Sequence, residues 1–172
     1  MADVALPYTC GEESGLINIE GEKIFSMEEG WIRPTYDDKY WICANEIRKI
    51  DGSNVVNPGY GDSIFYLGED MFVQTIMVGE ILGEEKYGVQ VFNANKEGTV
   101  ELPLNNISEV VPFQNGIAMI KGKGFDQYKI VYIGTDGKPI TNKIFRAGTG
   151  FNSNNEALVL DEDTYKYINK YG

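Results

Sequence analysis

The chain of 172 residues contains no histidine. That absence removes the Ser-His-Asp and Cys-His nucleophilic arrangements, the histidine general base, and the imidazole ligands of most zinc and iron sites. Cysteine is nearly absent too. Cys10 and Cys43 lack the spacing of a zinc site or a redox pair, so they either pair with each other or stay free. Cys43 lies in an apolar run and reads as a buried, inert thiol, whereas Cys10 falls in a polar stretch that reads as loose. Bases are outnumbered, 15 against 26 acids, for a formal charge of −11. Such a chain repels phosphate backbones and anionic lipid surfaces, which argues against nucleic acid as a partner. Acidity on this scale keeps a chain dispersed, and where it steers association it steers toward a basic protein. No apolar run approaches the roughly 18–20 residues of a membrane helix, so no membrane insertion is expected. The opening "MADVALPYTCGEESG" has neither a basic region nor a long apolar segment and is not a secretory signal as it stands. The compartment stays open.

Helical periodicity is equally scarce, and short alternating runs take its place. Leu16-Ile17-Asn18-Ile19, Val89-Gln90-Val91-Phe92, Val100-Glu101-Leu102, Ile130-Val131-Tyr132-Ile133 and Tyr165-Lys166-Tyr167-Ile168 alternate β-branched or aromatic residues with others, as half-buried strands do. Asp-Gly, Glu-Gly and Asn-Pro pairs punctuate them and predict tight turns. The fold class is therefore all-β. Turn glycines recur at Gly21, Gly52, Gly98, Gly137 and Gly172, with spacings of about 31, 46, 39 and 35 residues, the range of repeat architectures. A strand follows each central glycine ("NVV", "TVEL", "KPIT"). A further strand comes about 18 positions on, at "DMFVQT", "GIAMIK" and "EALVLD". Each unit reads as a three- to four-stranded antiparallel sheet that cannot bury both faces alone, so neighbours must stack on it. Propeller blades and open arrays are both built this way. The chain stops at "INKYG", a turn signal with no strand after it, which reads as a truncated array or a bare edge.

The repeat resembles the bacterial WG repeat, whose unit runs from an aromatic-Gly pair through a polar-Gly turn to a Phe-x-x-Gly-Leu-Ala segment. Tyr87-Gly88, Glu97-Gly98, Val100 to Pro103 and Pro112 to Ile120 carry the best copy. A second runs from Tyr128 through Asp136-Gly137 and Phe151 to Val159. The copy around Asp51-Gly52 keeps Val55, Val56 and Pro58 but has Trp41 where the glycine of the pair would fall, and the first keeps Gly15-Leu16-Ile17 and Glu20-Gly21. The resemblance implies a β-rich repeat domain over 15–172 after an N-terminal segment 1–14. Its units fall at about 15–39, 40–85, 86–127 and 128–164, with a partial unit at 165–172. It also implies a scaffold without assigned activity, and it supplies no catalytic residues.

Carboxylates are the one catalytic resource left. A glycoside hydrolase needs only two, and Asp37, Asp38, Asp62, Glu69 and Asp70 are candidates, each in a turn-like context where a solvated carboxylate is the default. "LDEDTY" (Leu160 to Tyr165) lacks the spaced ligands of a calcium loop and reads as an acidic hairpin turn. "KGKGFD" (Lys121 to Asp126) lacks the Gly-Lys-Ser/Thr ending and following helix of a phosphate loop and reads as a connection. The richest segment is "GWIRPTYDDKYW". Trp31, Tyr36, Tyr40 and Trp41 would supply contact area there, and Arg33, Asp37 and Asp38 would fix orientation, for a sugar or a protein partner. The plain alternative is that Trp31 and Trp41 cap the core of the first unit. The expectation is a non-enzymatic scaffold that binds a protein, with a carbohydrate-binding module as the alternative, a carboxylate-based hydrolase third, and no metal or cofactor.

Overall fold

A computed structural model of the chain describes residues 4–28, 30–57, 59, 61–124 and 127–172, with backbone alone at 61 and 62. The described residues hold strands and turns and no helix, all-β as the alternation requires. They form two compact units, 1–57 and 58–172.

The first unit is two antiparallel sheets. One runs β1 (Leu6–Cys10), β2 (Glu13–Ile17) and β3 (Lys23–Met27) in that order. Cys10 thus lies in a paired strand rather than a loose stretch, and both cysteines are free, Cys10 exposed and Cys43 buried. The other runs β4 (Ile32–Pro34), β5 (Tyr40–Cys43), β6 (Glu46–Lys49) and β7 (Asn54–Val55). Leu16 from one sheet and Trp41 and Cys43 from the other share a core with Ala5, edged by Phe25, Met27, Ile32 and Ile50. The Arg48 guanidinium stacks on the Phe25 ring, 3.9 Å from its centroid.

The second unit is three antiparallel sheets. The first contains β8 (Gly61–Gly68), β9 (Met71–Ile81), β10 (Glu84–Asn93) and β11 (Thr99–Leu102), ordered β11-β10-β9-β8. The second contains β12 (Glu109–Gln114), β13 (Ile117–Lys123) and β14 (Tyr128–Gly134), and the third β15 (Ala147–Gly148), β16 (Glu156–Asp161) and β17 (Thr164–Asn169). The middle sheet is covered on both faces. Ala118, Ile120, Val131 and Ile133 pack with Val73, Val89, Val91 and Leu102 of the first sheet. The alternate residues Ile117, Met119, Ile130 and Tyr132 pack with Phe145, Phe151, Ala157 and Val159 on the other side. Period-two alternation sends successive side chains to opposite faces, so a strand between two sheets must be apolar at every position. That is why "IAMI" and "IVYI" are unbroken. Each fully buried aliphatic side chain stabilises by roughly 1.5–3 kcal/mol, so stacking is what holds these short strands.

The turns repeat with the sheets. The Gly21, Gly52, Gly137 and Gly172 amides each donate to the carbonyl three residues back, on Asn18, Lys49, Gly134 and Asn169, at 2.8–3.0 Å. The first three close further: Asn18, Lys49 and Gly134 donate back to the carbonyls of Glu22, Ser53 and Lys138 at 2.8–2.9 Å. All five turn glycines have φ between 77° and 100°, the left-handed region that L side chains avoid. The expected run Leu16 to Ile19 ends as a strand at Ile17, with Ile19 exposed in the turn, and one further expected strand differs. "KPIT" forms only an isolated bridge, Ile133 to Pro139, because a proline has no N–H to extend the ladder.

Candidate functional site

The Trp31–Trp41 segment divides between core and surface. Tyr40 and Trp41 are buried in β5, whose four residues are all inside; the Trp41 indole N–H has no acceptor among the described residues. Both side chains lie in the core, where the alternative reading of the tryptophans placed Trp41. Trp31, just before the edge strand β4, is half exposed, and Tyr36 in the following turn is exposed. Two-residue spacing puts Trp31 and Arg33 on one face of the chain, and the Arg33 guanidinium lies 4.6 Å from the indole centroid. Asp37 accepts from the Thr35 hydroxyl at 2.8 Å and pairs with Lys39 at 3.7 Å, which ties it to its own turn, and Asp38 occupies that turn at φ 56°. The exposed aromatics of the segment are thus Trp31 and Tyr36, with Arg33 beside the indole.

Of the remaining carboxylate candidates, Asp62 lies in strand β8 and the other two are turn residues. Glu69 and Asp70 connect β8 and β9 at φ 53° and 60°, with Asp70 accepting from the Asn95 amide at 2.9 Å, and the Asp62 side chain lies outside the described residues. Asp161, from "LDEDTY", accepts from Lys143 at 2.9 Å and Lys166 at 3.3 Å, and these ammonium groups hold its carboxyl below the usual range. Glu162 and Asp163 form the two-residue turn between β16 and β17. Lys121 to Lys123 of "KGKGFD" belong to β13, and Phe125 and Asp126 lie outside the described residues. Among the described residues, no three Cys, Asp or Glu side chains converge as metal ligands would.

A second surface had no counterpart in the motif reading. β9 and β10 continue beyond their sheet as a two-stranded ribbon. β8 pairs with β9 only as far as Ile76, and β11 pairs with β10 only from Val89. From Met77 to Gly88 the two strands are bonded to each other, with a bulge at Lys86/Tyr87, and no described strand flanks either edge. Met77, Val78 and Ile81 are exposed along this ribbon, and Leu82 at its tip is 100% exposed. Leu82 and Gly83 form a two-residue turn with φ 56° and 81°, a pair of left-handed residues that ordinarily selects Asn-Gly. Leucine fits neither that backbone nor water. Glu80, Glu84 and Glu85 against Lys86 make the ribbon acidic; Lys86 lies 3.7 Å from Glu84, and the Tyr87 hydroxyl donates to Glu85. Where the ribbon joins the sheet, Gln74 and Gln90 face each other across β9 and β10. Both are buried, and both amide atoms of Gln74 and the amide nitrogen of Gln90 have no partner among the described residues.

The sequence signal for the ribbon was there: "QTIMVGEILGEEKYG" continues an apolar strand past its glycine and places Leu-Gly where a polar turn belongs. No protein-family model matches the chain, and comparison with curated proteins and with solved structures finds no significant match.

Proposed function

We propose that the chain is a non-enzymatic β-repeat scaffold, of the WG-like kind, that presents a protein-binding surface to a partner of basic character. One observation carries the reading: the β9–β10 ribbon, tipped by the fully exposed Leu82. A leucine held in left-handed backbone and in water weakens the fold on both counts, so its place is accounted for by what it contacts outside the chain. Met77, Val78 and Ile81 extend the apolar area, and the glutamates around them favour lysine or arginine on the other side. The test is capture on the immobilised chain from source-cell lysate and medium, eluted by a salt step, side by side with Leu82→Asn. The reading expects a basic protein that elutes with salt and is lost with Leu82→Asn. Equal capture by both chains would remove the ribbon from the account.

The second reading is a carbohydrate-binding module, and the exposed pair Trp31 and Tyr36 favours it. Arg33 already covers one face of the Trp31 indole, so a sugar ring would stack on the opposite face or on Tyr36. Binding of this kind quenches tryptophan fluorescence, survives salt and disappears with Trp31→Ala.

A further inference from the structure

β11 stops at Leu102 because Pro103 follows, and a proline has no N–H with which to continue the ladder. The Leu104 amide turns back to the Leu102 carbonyl at 2.8 Å, and the chain leaves the sheet there. The outer edge of β10 from Glu84 to Gly88 is left without a strand. Beside that uncovered edge opens a cleft of about 400 Å³. Val89, Leu102 and Leu104 are its buried apolar floor, and Tyr87 stands at its wall. Lys129 and Asn105 border it, and the ammonium and the side-chain amide have no hydrogen bond or ion pair among the described residues. A free strand edge, an apolar socket at the place where the next strand's side chains would fall, and two unengaged polar groups at its rim lie together.

We infer that this edge takes an extended peptide segment of another protein by strand addition, continuing the line of β11 along β10. The inference rests on the protein-binding reading and names the partner element. Main-chain groups of the peptide pair with β10 over Glu84 to Gly88, and one apolar side chain enters the cleft between Tyr87 and Leu104. Lys129 and Asn105 donate to peptide carbonyls beyond the paired stretch. Glu101 lines the cleft and Glu84 and Glu85 lie along the uncovered edge, against Lys86 on the same stretch and Lys129 at the rim, so basic residues flank the apolar one in the peptide that fits. A second copy paired antiparallel over the same stretch would set Lys86 opposite Lys86, which disfavours self-pairing at this edge.

The probes are three hexapeptides: one alternating valine and lysine, the same peptide N-methylated at alternate residues, and one alternating valine and glutamate. Calorimetry and amide hydrogen exchange on the intact chain read the outcome. The valine–lysine peptide is expected to bind and slow exchange at Glu84 to Gly88, and N-methylation to weaken it by about tenfold through lost main-chain hydrogen bonds. The glutamate peptide is expected not to bind. Three outcomes overturn the inference: no binding by any probe, binding indifferent to N-methylation, or slowed exchange at this edge that grows with protein concentration alone. The last would place a second copy there. Binding that ignores N-methylation but is lost in Leu82→Asn would overturn strand addition and leave the protein-binding reading standing. An eluate from the unaltered chain that holds no salt-eluted basic protein would sink that reading instead.

Discussion

Gly137 and Met71 meet from neighbouring sheets: a Cβ on Gly137 would stand 2.9 Å from the Met71 methyl carbon and 3.3 Å from Val91. The turn that closes β14 therefore lies against the first sheet of its unit, and glycine is needed there twice, for φ 77° and for space. Gly98 has the same kind of backbone, φ 100°, with nothing within 4 Å. Alanine at Gly98 is expected to cost about 1 kcal/mol from strain alone. Alanine at Gly137 should cost more than that, since the Met71 methyl must swing aside and Val91 must give by a few tenths of an ångström. Thermal unfolding of the two variants checks this. Equal shifts would mean that the Gly137 turn does not pack as described.

The tryptophans should separate by stability. Trp41→Phe and Trp41→Ala remove core volume from between the two sheets of the first unit, and the alanine is expected to cost about 3–5 kcal/mol. Trp31→Ala removes a half-exposed ring and its Arg33 contact and should cost less than about 1 kcal/mol. Urea midpoints decide, and similar losses would contradict the division into core and surface.

Thiol reactivity follows burial. Desolvation pushes the Cys43 thiol up to about 11, while Cys10 lies exposed in β1. One thiol per chain is expected to react with a disulfide reagent near pH 8 in the folded protein, and the second only on unfolding. The sign for stability follows. The unfolded thiol ionises near pH 8.5 and the folded one near 11, so the contribution is full below the first value and lost as pH rises toward the second.

Acid should act in the opposite sense through the carboxylates. The Ser53 hydroxyl and amide lower Asp51, and hydrogen bonds from Lys143 and then Lys166 lower Asp161. A folded value below the unfolded one gives stability that is present above the ordinary carboxylate range and lost as pH falls through the folded value. The melting temperature is expected to hold down to about pH 5 and fall below about pH 4. Ser53→Ala should raise the Asp51 titration midpoint seen by NMR, and an unchanged midpoint would count against that hydrogen bond.

Strand positions and turn glycines were legible because both signals are local. Alternation in "VQVF" follows from the pleat, "IVYI" reads as a strand from its β-branched and aromatic content, and Asp51-Gly52 and Asp136-Gly137 supply left-handed turns that few other pairs allow. The division of the aromatic segment was harder. Trp31 and Trp41 are the same residue type, and the clue lies in the continuous run Tyr40 to Cys43, the pattern of a strand covered on both faces. The ribbon was not legible as exposed. Ile76, Met77 and Val78 continue β9 without a break in character, and only the early ends of β8 and β11 leave the extension bare. Strand length relative to neighbours is a tertiary fact, and period-two patterning does not carry it. The Pro103 that ends β11 is visible in sequence, but its consequence for β10 appears only in the pairing.

Leu82→Asn separates binding from stability, because it changes the turn for the better and the surface for the worse. Asparagine suits the left-handed backbone at φ 56°, so the fold should be as stable or more so. The measurement is the affinity for the salt-eluted partner, read beside the melting temperature of the same preparation. If Leu82 anchors the partner, the melting temperature is unchanged or higher while binding weakens by about thirtyfold, the loss of an apolar anchor worth roughly 2 kcal/mol. Unchanged affinity at unchanged stability would contradict it, and the exposed leucine would then have no part in what this chain binds.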